Sequence, residues 1–293
     1  MRLEAKDKRI ETGDEQGRLK VYLLPNLLTA GNLFCGFLAL TKIVEANVGS
    51  PDFNSVIRVA IGLILLACIF DLLDGRVARM GGAESPFGRE FDSLADIVSF
   101  GVAPAFLVHR IVLKDVFVNH PGFGWFIASI YLICGAFRLA RFNCLANLSS
   151  GRGSSDFLGF PIPAAAGMVA SLTLFMLWWE DRNFGVGNWR YALPVIMILL
   201  SIMMVSEVRY PSFKKIDMKA TRPFIKMVVV TLIVCLAVVS YDLVLPIVLP
   251  IFFTSYLVYG FIRPHISRRM RQEIADDDDE HDLHSSGSDT VSK

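Results

Sequence analysis

The sequence predicts an all-α fold, a polytopic bundle of about eight transmembrane helices, and three observations predict it. Of 293 residues, 53% are hydrophobic and only 19% are charged, against about 25% charged in an ordinary soluble domain. The apolar residues run in long blocks, several of which reach the roughly 20 residues that a helix needs to cross a hydrocarbon core of about 30 Å. Short charged loops separate the blocks.

Taken in order, the predicted spans are 23–44, 55–77, 90–112, 123–145, 161–180, 189–207, 224–242 and 244–262. They divide the chain into a lead-in (1–22), one transmembrane domain (23–262) and a tail (263–293). Pro25 marks the start of the first span, Pro104 bends the third, and Pro161 and Pro163 kink or start the fifth. The last two spans are joined only by residues around Asp242 to Pro246, as a tight hairpin or one longer bent feature. Residues 1–20 are polar, mixed in charge and without the pattern of a secretory signal. The tail carries Asp276, Asp277, Asp278, Asp279 and Glu280 in a row and reads as solvated and disordered. The five cysteines (Cys35, Cys68, Cys134, Cys144, Cys235) fall in or beside apolar blocks without CxxC spacing, so they read as buried free thiols.

A net charge of +1 gives no general case for nucleic acid; the distribution of the charge is more informative. With both termini in the cytoplasm, Lys42, Arg58, Arg110, Lys114, Arg182 and Arg190 lie outside, which leaves 23 of the 29 Lys and Arg inside. The positive-inside rule therefore predicts that orientation. It places the loop around 76–91 on the cytoplasmic face of an integral protein of the cell (inner) membrane.

That loop joins two spans whose ends are acidic. The second closes on Asp71-Leu72-Leu73-Asp74-Gly75-Arg76-Val77-Ala78-Arg79, and the third opens on Gly88-Arg89-Glu90-Phe91-Asp92-Ser93-Leu94-Ala95-Asp96. A charge inside a span costs about 2.5–3.5 kcal/mol on insertion scales, so such groups are functional candidates by default. Asp71 and Asp74 share one helical face, as do Asp92 and Asp96. Gly75 and Ala78 lie on the first of these faces, and Gly88 lies one turn before Asp92; small side chains there let a bulky ligand approach the backbone. Side by side, the two helices would bring four carboxylates together. Oxygen-only ligands suit Mg²⁺ or Mn²⁺ rather than zinc, and two such ions about 3.5–4 Å apart are the usual clamp for phosphoryl displacement. The competing reading pairs the acids with Arg76, Arg79 and Arg89 as structural ion pairs.

The pattern Asp71-x2-Asp74-Gly75-x2-Ala78-Arg79-x8-Gly88-x3-Asp92-x3-Asp96 resembles the complete signature of the CDP-alcohol phosphatidyltransferases, membrane enzymes that displace CMP from a CDP-linked lipid or alcohol with an alcohol acceptor. The resemblance implies a catalytic transmembrane domain in which Asp71, Asp74 and Asp92 hold two divalent ions. It implies that Asp96 completes the metal site, serves as general base, or both. Gly75, Ala78, Arg79 and Gly88 would lie along the CDP moiety. Four further stretches are similar to the serine-accepting branch of the family: Pro25-Asn26-Leu27-Leu28-Thr29 with Asn32 and Cys35-Gly36; Asp96 to Ala105; Arg138-Leu139-Ala140-Arg141-Phe142-Asn143; and Phe157 to Ala166. These imply CDP-diacylglycerol and L-serine as substrates, CMP as a product, direct displacement without a phosphatidyl-enzyme intermediate, and a homodimer. CDP-diacylglycerol would enter sideways from the inner leaflet, since its chains stay in the bilayer.

The acceptor would bring a carboxylate, which a forked guanidinium fits. Arg138 and Arg141, at the cytoplasmic end of a span, are the candidates; ordinary snorkelling is the alternative. Asn143 would contact the substrate or cap a helix. Asn26 and Thr29, about one turn apart, would line the nucleotide site or hydrogen-bond neighbouring helices. Arg209 and Lys214 are weaker candidates. A phosphorylated acceptor such as glycerol 3-phosphate or inositol phosphate is the nearest rival reading. Membrane prenyltransferases also use acids and Mg²⁺ but space them differently and lack the Gly-x2-Ala-Arg continuation. A transporter would carry its acids near the bilayer midplane rather than beside a basic loop.

Overall fold

The computed structural model describes residues 23–80, 85–148, 156–182, 191–211 and 245–260. Five of its helices are long and apolar enough to cross a membrane: α1 (Leu23–Glu45), α2 (Phe53–Met80), α3 (Pro86–Val116), α4 (Pro121–Leu148) and α5 (Ile162–Asp181). Two shorter apolar helices follow, α6 (Ala192–Val205) and α7 (Leu245–Gly260). The chain is thus a multi-pass membrane protein with five candidate spans among the described residues. The predicted sixth and eighth spans correspond to α6 and α7, which fall short of the usual ~20 residues. The predicted span 224–242, the loop to 244, the lead-in and the acidic tail lie outside the described residues, as do Cys235 and Lys214.

Local chemistry explains the helix starts. Ser85 caps α3: its Oγ accepts from the Gly88 N–H at 3.0 Å, and Pro86 takes the first helical position, where a missing N–H costs nothing. Pro161, in extended conformation, precedes α5, so Pro161 and Pro163 start that helix and do not kink it. Pro121 opens α4.

The bend predicted at Pro104 takes a definite form. Residues Ile97–Val102 are π-helical, and α-helix resumes at Ala103. Pro104 has no N–H to offer the carbonyl four residues back. That carbonyl belongs to buried Phe100, and the Tyr131 hydroxyl of α4 donates to it at 3.2 Å, as a buried backbone acceptor requires. A second π segment, His109–Leu113, has no such cause in the sequence.

An addition to the predicted all-α fold is a two-stranded antiparallel ribbon, β1 (Asp156–Leu158) with β2 (Arg209–Pro211), in which Phe157 lies opposite Tyr210. Gly159 follows it with φ +80°, a conformation open to glycine. Its N–H donates to the Val208 carbonyl at 2.9 Å, and the Phe160 N–H to that of Met203 at 3.0 Å. The ribbon therefore fastens the entry to α5 onto the end of α6.

α1 lies against α2 along much of its length and against the first half of α3, and α4 packs on α6. At the end of the bundle away from the acidic cluster, Arg58 pairs with Asp181, which also accepts from Asn54 Nδ2 at 3.2 Å. The four described cysteines are free; Cys35 is buried, whereas Cys144 is exposed, contrary to its reading as a buried thiol.

Candidate active site

The acidic ends of α2 and α3 meet. One carboxylate oxygen from each of Asp71, Asp74 and Asp92 lies within 4.8 Å of the other two. Asp74 is 3% exposed, and Asp71 and Asp92 are half-buried. Asp96 is 6% exposed and stands beside this trio, not within it. It lies close enough to Asp71 for the two charges to interact. The order of the acids along each helix produces this arrangement, since spacings of three and four keep each pair on one face.

The trio fits a divalent cation. Its donors are carboxylate oxygens alone, which hard cations prefer, and Asp92 Oδ1 is buried without a hydrogen-bond partner. A buried acceptor left unpaired is costly, and carboxylates held this close repel one another. A cation among them removes both penalties. Lys42–Glu45 and Arg58–Asp181 form ion pairs away from the cluster.

The first helix holds the acids from the other side. Thr29 is buried, and its Oγ1 lies 3.0 Å from Asp74 Oδ2 and 3.2 Å from the Pro25 carbonyl. One hydroxyl proton serves one acceptor at a time, and the shorter approach is to the carboxylate. Asn32, about one turn on, donates from Nδ2 to Asp96 Oδ1 at 3.2 Å. Asn26 Nδ2 is buried without a partner, while its Oδ1 comes up against Gly88: a Cβ on that glycine would stand 3.2 Å from it and 3.1 Å from Ser85 Oγ. Gly88 thus permits close approach between α1 and α3. Gly75 and Ala78 are half-buried on α2; the side chain of Arg79 lies outside the described residues.

The fourth helix supplies a buried cation. Arg138 is 7% exposed and interacts electrostatically with Asp96 and Asp71. Its guanidinium sits 5.6 Å from the Phe142 ring centroid, and its Nε has no hydrogen-bond partner. Arg141 is differently engaged. Its two terminal nitrogens donate at 3.0 Å to the carbonyls of Val205 and Ser206, so its guanidinium satisfies acceptors at the end of α6. Asn143 Nδ2 donates to Ser93 Oγ on α3 at 2.9 Å; its approach to Glu90 at 3.5 Å is at the limit of a hydrogen bond. Asn143 Oδ1 is buried and unpaired. The side chain of Arg209 lies outside the described residues.

Asn32, Ser93 and Tyr131 were not singled out as site or support residues from the sequence. Asn32 carried the clearest signal, an amide within an apolar span and three residues beyond Thr29.

Residues 22–206 match the family model described as CDP-alcohol phosphatidyltransferase. A CDP-diacylglycerol–serine O-phosphatidyltransferase of Helicobacter pylori (strain ATCC 700392 / 26695) is 36% identical over 244 residues, 83% of this chain and 91% of that protein. A protein of the same name from Bacillus subtilis (strain 168) is 33% identical over 66% of this chain and 92% of its own length. An archaetidylserine synthase of Methanothermobacter thermautotrophicus is 33% identical over 64% of this chain and 69% of its own.

Proposed function

The chain belongs to the CDP-alcohol phosphatidyltransferase family, and from that premise we propose that it transfers the phosphatidyl group of CDP-diacylglycerol to the hydroxyl of L-serine, releasing CMP. The observation that carries this reading is the convergence of Asp71, Asp74 and Asp92 within 4.8 Å, with Asp96 and Arg138 beside them. The relatives support serine as the acceptor, since their names share it while the lipid differs.

In the proposed reaction Asp71, Asp74 and Asp92 hold Mg²⁺ or Mn²⁺, which when bound neutralises charge on the pyrophosphate and on the departing CMP. Asp96 takes the proton of the serine hydroxyl as its oxygen bonds to the phosphorus bearing diacylglycerol. The bond from that phosphorus to the CMP oxygen breaks, with no covalent intermediate on the protein. A hydroxyl is a weak nucleophile without such a base. Arg138 faces the serine carboxylate; its buried Nε, unpaired among the described residues, is a donor that a carboxylate would satisfy. Asn26, Gly75, Ala78, Arg79 and Gly88 border the CDP moiety, and Thr29 reaches it through Asp74. About eight spans, with both termini and this site cytoplasmic, complete the reading.

Purified protein given CDP-diacylglycerol and a panel of acceptors is expected to release CMP at least tenfold faster with L-serine than with glycerol 3-phosphate or inositol phosphate. Chelation is expected to stop release, and Mg²⁺ or Mn²⁺ to restore it. A faster rate with another acceptor would reassign the substrate, and turnover that survives chelation would remove the ion from the chemistry.

A cysteine introduced at Gly82, in a background without other reactive thiols, is expected to react with an impermeant reagent only from the cytoplasmic side. Labelling from outside alone would invert the topology.

A further inference from the structure

We propose that Asn32 is a positioning residue for the reaction: its carboxamide sets the carboxylate of Asp96 toward the reacting centre, while Thr29 separately holds Asp74 in the ion-binding trio. The inference rests on the reading of Asp96 as the group that accepts the serine proton.

Asn32 is fully buried, and its carboxamide makes one hydrogen bond among the described residues, Nδ2 to Asp96 Oδ1 at 3.2 Å. Turning the amide over would set its oxygen against a carboxylate oxygen, so the donor face is the one that fits. The main chain of Asn32 is fixed as well: its carbonyl accepts from Ser99 Oγ at 2.9 Å, in the π segment that follows Asp96. Gly36, about one turn further along α1, meets Ser99 so closely that a Cβ there would stand 2.6 Å from its Cα. Asn32 is therefore anchored at the tightest part of the α1–α3 seam, and its amide reaches the neighbouring acid from a rigid base. A carboxylate tethered at one oxygen loses rotation about its terminal torsion, which fixes where the other oxygen points. Among the described residues the Asn32 carboxamide bonds to Asp96 and to none of the trio, so the tether acts on Asp96 directly. Thr29, bonded to Asp74, acts on the trio. One polar stripe on α1 thus serves two different acids for two different purposes.

The test uses the full chain in liposomes, with CMP release and Mn²⁺ binding followed by electron paramagnetic resonance. Asn32→Leu, close in size but without a donor, is expected to lower kcat roughly 10–100-fold, the usual loss for a supporting partner. Its KM values for CDP-diacylglycerol and serine, and its Mn²⁺ affinity, are expected to stay within about twofold of the parent, since Asn32 touches neither substrate nor trio. Thr29→Val is expected to weaken Mn²⁺ binding by about tenfold. Thr173→Val loses a buried hydroxyl bond to the Val169 carbonyl within α5, away from Asn32 and the acids, and parent kcat is expected. Should Asn32→Leu not fold, Asn32→Ser, too short to reach Asp96, is expected to show the same kcat loss.

Parent kcat in Asn32→Leu or Asn32→Ser, a raised KM for serine at parent kcat, or an equal kcat loss in Thr173→Val would each overturn the inference. Asp96→Asn measured alongside separates the two levels. Parent turnover there removes the reading of Asp96 itself, whereas an inactive Asp96→Asn beside a fully active Asn32→Leu removes only the role of Asn32.

Discussion

Asp96→Asn is expected to lower serine-dependent CMP release by roughly 10²–10⁴-fold, the usual contribution of a positioned general base, while leaving divalent-ion binding close to the parent. The substitution keeps the shape of the side chain and its place next to Asn32 and Asp71 but removes the oxygen pair that accepts a proton. Asp96 lies outside the trio whose oxygens come within 4.8 Å, so ion affinity is expected to depend on Asp71, Asp74 and Asp92. The matching substitution Asp92→Asn is expected to lower activity and Mn²⁺ affinity together, because Asp92 Oδ1 is the buried oxygen without a partner. Mn²⁺ titration beside single-turnover CMP release distinguishes the two variants. An Asp96→Asn protein that turns over normally would take Asp96 out of the chemistry, and one that loses ion binding instead would move it into the metal site.

The second large effect comes from a residue with no chemistry of its own. Gly36→Val is expected to inactivate the protein and to lower its thermal midpoint in detergent. The first added carbon would already stand 2.6 Å from the Ser99 Cα, and a backbone atom cannot swing aside as the tip of a flexible side chain can. Overpacking of this kind costs about 1–3 kcal/mol. Here it would also push α1 off α3, carrying Thr29 and Asn32 away from Asp74 and Asp96. Gly62, within α2, makes the comparison. A Cβ there meets nothing within 4 Å, so Gly62→Ala is expected to keep activity and to gain about 0.5–1 kcal/mol from the better helix propensity of alanine. Equal behaviour of the two variants would show that the α1–α3 seam is not the tight contact described.

Much of the site was legible before any coordinates. Charges inside apolar spans are expensive enough that four aspartates at two helix ends already demanded an explanation, and spacings of three and four assigned each pair to a face. Span number was less legible. Length and composition distinguish a span from a loop, but α6 and α7 are short, and the predicted 224–242 span lies outside the described residues. The third span shows what periodicity misses. Pro104 announced a break, but not that it would be a π segment whose freed Phe100 carbonyl finds Tyr131.

The two arginines mark the boundary between the kinds of information. Arg138 and Arg141 are three residues apart and read alike in sequence. In the structure Arg138 is buried within electrostatic reach of Asp96 and Asp71, and Arg141 is bonded to the end of α6. By itself the sequence determined the helical membrane architecture, the acidic cluster and the family pattern, because hydropathy and helical periodicity are local properties of the chain. Tertiary structure alone decided that three acids form one group with Asp96 beside it, that α1 bonds two of the four, and which arginine lies within electrostatic reach of them. Those relations depend on how closely and at what rotation separate helices meet, which Gly36 against Ser99 and the π segment before Pro104 govern and which no spacing within a single helix encodes.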